Sequence, residues 1–317
     1  MKAGMIDRAK TQLPAAVVMV RPANFGFNPE TASTNTFQTE NTELSRREIQ
    51  LRARKECDLM VERLKTSGVE ILLVEDRESV ITPDSVFPNN WISFHDDGTV
   101  VFYPMYAPSR RLERRRDIID RLAANGYQVK RVVDLSEHET NGRFLEGTGS
   151  IVFDHVERCA YANLSPRTHP DVLQELCEIL GYSRITFRAR DRKGHSIYHT
   201  NVMLSIGDGL AIVCADSIND AVERKLVLES LEASGREIVL IDLTQMEHFA
   251  GNVLQLRTSS ASVMAMSTQA CLAFRPDQRS IIEKHARIVE SPIPLIEGIE
   301  GGSARCMLAG IHLPHGI

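Results

Sequence analysis

The 317-residue sequence has little of what marks several protein classes. It has one tryptophan, Trp91, and only 6% aromatic residues, too few for the stacking platforms that hold unpaired bases. It has no basic excess: 37 Lys and Arg stand against 42 Asp and Glu, a net charge of −5, so no nucleic-acid partner is expected. No stretch approaches the roughly 18 apolar residues of a membrane span, so no membrane partner is expected either. The opening MKAGMIDRAKTQLP lacks the apolar core of a secretion signal. Cysteines are few and scattered, at Cys57, Cys159, Cys177, Cys214, Cys271 and Cys306, with no C-x-x-C pair. Such spacing speaks against a disulfide framework and for a reducing, cytoplasmic setting. No G-x-G-x-x-G follows the first strand, and P-loop, H-E-x-x-H and G-x-S-x-G motifs are missing.

What is there is an ordinary globular composition, 43% hydrophobic and 25% charged. No Pro/Ser-rich linker divides it, so residues 1–317 are read as a single domain. Strand-like runs alternate with five helical patterns at 44–66, 109–124, 170–180, 219–233 and 276–286. Each helix follows a predicted hairpin, and turn signals such as DDGT (96–99) and GDG (207–209) mark the bends. The unit is therefore strand, strand, helix, strand, which differs from a doubly wound sheet.

The residues that open each hairpin test the repeat. Asn90, Glu146, His199, Asn252 and Cys306 follow one another at intervals of 56, 53, 53 and 54 residues. Five units of one period fit a closed ring, because closure removes exposed sheet edges. The strand after Cys306 would then pair with the N-terminal run AVVMV. In a ring, equivalent positions converge, and these five are all polar. A thiol, an imidazole and a carboxylate meeting there supply nucleophile, base and orienter. An imidazole beside the thiol favours the reactive thiolate.

The other five cysteines sit in apolar patterns and read as core. His95, His138, His155 and His248 read as structural, and the run Arg110–Arg116 mostly as a solvated helix face. The His pairs at 195/199 and 312/315 invite a metal reading that their surroundings do not support, so no metal and no cofactor are expected.

Six motifs in order resemble the guanidino-group-modifying, or pentein, superfamily of deiminases, dimethylarginine hydrolases and amidinotransferases. They are PDSVF (83–87), APSRRLE (107–113), LEGTGSIVF (145–153), NLSPRT (163–168), YHTNV (198–202) and GGSARCM (301–307). The opening MVRPANFGFNPETASTNTF is similar to that of citrulline-utilisation hydrolases. The resemblance implies an α/β fold, a five-bladed propeller of ββαβ units, and cofactor-free hydrolysis of a linear amidine or urea. It implies Cys306 as nucleophile, His199 as acid/base and Glu146 as its orienter. Asp84 resembles a substrate-contacting carboxylate, and Arg110 and Arg167 match two arginines that grip an α-carboxylate.

Two departures set the substrate expectation. Asn89-Asn90 stand where relatives carry acids that hold the guanidinium cation, and Asn201 replaces another acid. Amides suit a neutral ureido group, which both donates and accepts. With Asn252 also at the convergence point, a free amino acid with a ureido side chain, citrulline, is preferred over arginine or methylated arginine. Hydrolase and transferase outcomes are both compatible with these residues, as is a homodimer; a non-catalytic binding protein would have no use for Cys306, His199 and Glu146 together.

Overall fold

The computed structural model describes residues 11–316. Its strands fall into five three-stranded sheets of one design: an antiparallel hairpin, then a third strand parallel to the hairpin's second. After β1 (Ala16–Arg21) and β2 (Glu70–Glu75), which pair in parallel, four complete units follow. They are β3 (Ile92–Phe94), β4 (Thr99–Phe102) and β5 (Arg131–Asp134); then β6 (Ile151–Asp154), β7 (Cys159–Asn163) and β8 (Ser183–Phe187). Next come β9 (Leu204–Ile206), β10 (Leu210–Val213) and β11 (Glu237–Leu240), then β12 (Leu254–Arg257), β13 (Ser262–Ser267) and β14 (Arg287–Ser291). The last strand, β15 (Ala309–Ile311), pairs antiparallel with β1, with Val17 opposite Gly310, so chain start and chain end complete the fifth sheet together.

The local causes are visible in the sequence. The β3–β4 turn bends at Gly98, whose φ of +89° is unfavourable for a residue with a Cβ, while Asp97 accepts from the Thr99 amide. The crossover helices carry an apolar stripe on one face. In Arg46–Thr66 the buried residues are Ile49, Ala53, Cys57, Met60, Val61 and Leu64, three or four apart. Ser45 and Glu48 cap its start reciprocally. Strands such as β4 and β10 are buried along their whole length, which is why they read as unbroken apolar runs.

The helix expected over 109–124 is broken. The structure has Pro108–Arg111 and Asp117–Ala124 with a non-helical stretch between. Arg110 and Glu113 turn inward as a buried pair, and Arg114 reaches the Tyr103 carbonyl and Glu139, contacts a continuous solvent-facing helix would not make. The run is thus not mainly a solvated face; Arg116 alone of its arginines is largely exposed. Sequence periodicity also missed β14 and the short helix Pro294–Glu300. No helix among the described residues is long and apolar enough to cross a membrane.

The first strands of the five hairpins, β3, β6, β9, β12 and β15, all line one narrow cavity of about 50 Å³. They therefore surround a common axis. Asn90, Glu146, His199, Asn252 and Cys306 each lie just upstream of one of these strands, so the topology carries all five toward the same end of that axis.

Candidate active site

Cys306 is buried at 3% exposure, in a turn closed by its amide bonding to the Ser303 carbonyl. Two amide side chains point at its sulfur: Asn252 Nδ2 at 3.2 Å and Asn201 Nδ2 at 3.5 Å. Asn252 is itself clamped, donating to the Asn201 carbonyl at 3.0 Å and accepting from the Arg305 amide at 3.0 Å. The sulfur thus faces two amide donors, and Asn252 Oδ1 at 3.6 Å can accept from the thiol.

His199 and Glu146 meet as the repeat foretold, with His199 Nε2 2.8 Å from Glu146 Oε2. Glu146 is fully buried and also accepts from the Tyr106 amide at 3.0 Å and from Arg167 Nη1 at 3.4 Å, with Arg110 Nη1 at 3.9 Å. Burial opposes its charge, but the Arg167 guanidinium, the His199 bond and Arg110 outweigh that and hold the carboxyl well below the usual range. An ionised Glu146 can only accept, so His199 Nε2 carries the proton and Nδ1 is the free basic nitrogen. Burial lowers His199 to about 4 against the pull of Glu146, which leaves a neutral imidazole near pH 7.

Gly149, in the turn after Glu146, makes this approach feasible. A Cβ there would lie 2.4 Å from Asn90 Nδ2 and 2.7 Å from His199 Nδ1. Gly149→Ala is therefore expected to push the imidazole from Asn90, costing about 1–3 kcal/mol in stability. A fall of at least about tenfold in kcat should accompany it, since small misplacements of a reacting group are costly. Urea unfolding and steady-state kinetics on the same variant check this; wild-type values in both would show the site to be slack.

Asn90 accepts from Arg110 Nη1 at 2.8 Å, and its Nδ2 has no partner. Neither polar atom of the Asn89 side chain has one, nor has Asn201 Oδ1. All three asparagines are buried. Unpaired buried amide groups each cost about 1–3 kcal/mol, so this set marks a place for a ligand with matching donors and acceptors. Asp84 accepts from Asn28 and lies 3.9 Å from Arg110 Nε.

The arginines differ from expectation. Both are buried, but their donors are taken by the protein. Arg110 binds Glu113 through Nε and Nη2, each at 3.0 Å, besides Asn90 and the Phe87 carbonyl. Arg167 binds Thr34 Oγ1 through Nε at 2.9 Å, the Thr31 carbonyl through Nη2 at 2.9 Å, and Glu146. Neither presents a free fork to a carboxylate in this conformation, because charged groups out of water take whatever partners reach them.

Sequence reasoning missed Glu113, Glu300 and the segment bearing Asn28, Thr31, Thr34 and Gln38. Glu300 is buried near Asp84, with Gln38 donating to one oxygen and the other unpaired. Burial and the neighbouring Asp84 raise its pKa well above the carboxylate range. Glu113 could have been found from its i,i+3 spacing to Arg110 in APSRRLE; nothing in the sequence singles out Glu300. The two His pairs are split apart. His195 pairs with Asp191 and His199 with Glu146, while His312 packs against His155 and His315 bonds the Asn125 carbonyl. His138 pairs with Glu175, and His248 bonds the carbonyl of Thr244.

A family model described as N,N dimethylarginine dimethylhydrolase, eukaryotic, matches residues 21–313. No curated protein sequence matches the chain. Among solved structures, the substrate-bound N-terminal domain of ArgZ, an arginine dihydrolase from cyanobacteria, superposes with a TM-score of 0.70 at 17% identity, over 92% of this chain and 96% of that one. An AgrE variant with L-arginine gives 0.70 at 19% identity, over 93% of this chain and 40% of the longer protein. A dimethylarginine dimethylaminohydrolase adduct with S-methyl-L-thiocitrulline gives 0.62 at 17% identity, over 93% and 99%. At these identities the likeness is one of fold: five small mixed sheets in an α/β arrangement.

Proposed function

Because the chain belongs to the N,N-dimethylarginine dimethylhydrolase family of C–N hydrolases, we propose that it hydrolyses the ureido carbon of a free amino acid, citrulline in first place. The unpaired amide atoms of buried Asn89, Asn90 and Asn201 carry this reading, Asn201 lying against Cys306 and Asn90 sharing the Gly149 face with His199. A ureido group offers one oxygen to accept from an amide NH₂ and N–H groups to donate to an amide oxygen, and it brings no charge that would need a buried counterion. On this reading the catalytic side chains sit at one end of a five-bladed propeller that the described residues form as a single domain.

In the proposed reaction the Cys306 thiol loses its proton to the free Nδ1 of His199, and the sulfur adds to the ureido carbon. Asn201 and Asn252 steady the sulfur before attack. His199 then gives the proton to the leaving nitrogen as the C–N bond breaks, leaving an S-linked carbonyl on Cys306. Water, deprotonated by the same nitrogen, adds to that carbonyl and releases it from sulfur as a carbamic acid, which loses carbon dioxide and so frees the second nitrogen. Citrulline would thus yield ornithine, carbon dioxide and ammonia. The ArgZ and dimethylarginine hydrolase neighbours include a covalent intermediate and a covalent adduct, which supports this order of events. The substrate carboxylate would take the place of Thr34 and the Thr31 carbonyl on Arg167.

A second reading is hydrolysis of arginine or a methylated arginine. Asp84 favours it, being a buried carboxylate 3.9 Å from Arg110, which holds Asn90. Substrate charge separates the two. On the first reading citrulline exceeds arginine in kcat/KM, and Asn90→Asp moves the preference toward arginine by about 5- to 150-fold. Arg110 would engage one oxygen of the new carboxylate, and the other would replace Nδ2 beside His199. Release of ammonia or dimethylamine, together with ornithine or citrulline, from citrulline, arginine and dimethylarginine measures this. A wild-type preference for arginine or a methylated arginine above tenfold would overturn the ureido assignment.

A further inference from the structure

The cavity on the common axis plays no part in the chemistry above, yet it has features of a site. All five inner strands line it, and its polar wall includes Ser93, His95, His155, Gln255, Arg305 and His312. Arg305, the residue before the nucleophile, extends into it. Among the described residues its guanidinium makes one hydrogen bond, Nη1 to the Leu308 carbonyl at 2.8 Å, and no ion pair with a carboxylate. Burial lowers its pKa to about 10.

The rest of the wall has the same bias. His95 is buried, with Nε2 on Ser93 Oγ at 2.8 Å and Nδ1 without a partner. His155 and His312 lie face to face with ring centroids 3.9 Å apart. Burial keeps these imidazoles neutral, and the cations Arg158, Arg257 and Arg305 disfavour their protonation further. Asp97 is the one acid bearing on His95, and it is bound to Thr99 and Arg131. A half-buried cation with open donors, beside an unpaired ring nitrogen and with no carboxylate on the wall, is a setting that favours an anion. At about 50 Å³ the cavity exceeds the space one water needs but is too small for an organic ligand of any size.

We propose that this axial chamber is a binding site for a small monovalent inorganic anion of chloride size, held by Arg305 with the imidazole edges around it. Arg305 lines the chamber and directly precedes Cys306, so the chamber's occupant communicates with the nucleophile through that one charge. Anion and thiolate are alternative counter-charges for the same guanidinium. Occupancy of the chamber therefore disfavours the thiolate and slows its reaction with electrophiles, without touching the substrate pocket.

The test uses the full enzyme. Crystals grown in sodium bromide are expected to show an anomalous peak beside Arg305 within the chamber. In solution, alkylation of Cys306 by iodoacetamide should slow saturably with chloride at ionic strength held constant with gluconate, by roughly three- to tenfold, the scale of a screened charge pair inside a protein. Arg305→Lys should keep the saturable curve and Arg305→Met should lose it. A chamber without bromide, or a chloride effect that never saturates and persists in Arg305→Met, would overturn the proposal. Should Arg305→Met fail to fold, the bromide result on the wild-type chain decides alone.

Discussion

Turnover is expected to fall by at least about 10³-fold in Cys306→Ser, with the fold unchanged. A hydroxyl fits the same turn and can accept from Asn201 and Asn252 as the sulfur does. It is far harder to deprotonate, and the neutral His199 is too weak a base to make up the difference. The wild-type enzyme quenched during turnover should carry a mass adduct on the peptide containing Cys306, and the serine variant should not. Ornithine or ammonia release within tenfold of wild type, or an adduct on another residue, would remove Cys306 from the nucleophile's role.

Glu146→Gln is expected to damage stability and rate together. The carboxylate serves His199 at 2.8 Å and Arg167 at 3.4 Å, and all three side chains are almost completely buried. An amide keeps the shape and loses the charge. Arg167 would then be a buried cation whose remaining partners are neutral groups on Thr31 and Thr34, a change worth about 3–5 kcal/mol in proteins where such a pair is broken. The amide NH₂ can also turn toward His199 and force the other tautomer, placing a proton on the nitrogen that must act as base. A loss of about 10²–10⁴ in kcat follows from that alone. Urea unfolding measures the first effect and single-turnover kinetics the second. A variant within 1 kcal/mol and tenfold of wild type would mean that neither the charge nor the tautomer is needed.

Much of this site was legible because a repeat makes sequence distance report spatial position. Asn90, Glu146, His199, Asn252 and Cys306 recur at nearly one spacing, and the structure places each before an inner strand of its own sheet. The pairing of β15 with β1 was legible for the same reason. Glu300 and the segment from Asn28 to Gln38 belong to connections that vary from unit to unit, so no period points to them. The break after Arg111 was hidden because the apolar spacing over 109–124 suits a helix, and only the tertiary pull of Glu113 and Glu139 on Arg110 and Arg114 overrides it. The two arginines show a further limit. Residue type announces a carboxylate clamp, but whether its donors are free depends on Glu113 and Asn90 for Arg110, and for Arg167 on Thr31 and Thr34, more than a hundred residues away in sequence.

The closing of the first sheet by the last strand has a consequence for biosynthesis. A nascent chain can lay down four complete sheets in order as it leaves the ribosome, since each draws its strands from one contiguous stretch. The fifth waits: β1 and β2 are made early and keep an unpaired edge until β15 emerges. Cys306 sits on the turn into that final strand, so the thiol meets Asn201 and Asn252 only once the ring shuts. The enzyme therefore carries a built-in delay, in which no partly made chain holds an assembled nucleophile. A circularly permuted gene opened between β5 and β6 would split no sheet and would let β15 and β1 be translated side by side, which removes the wait.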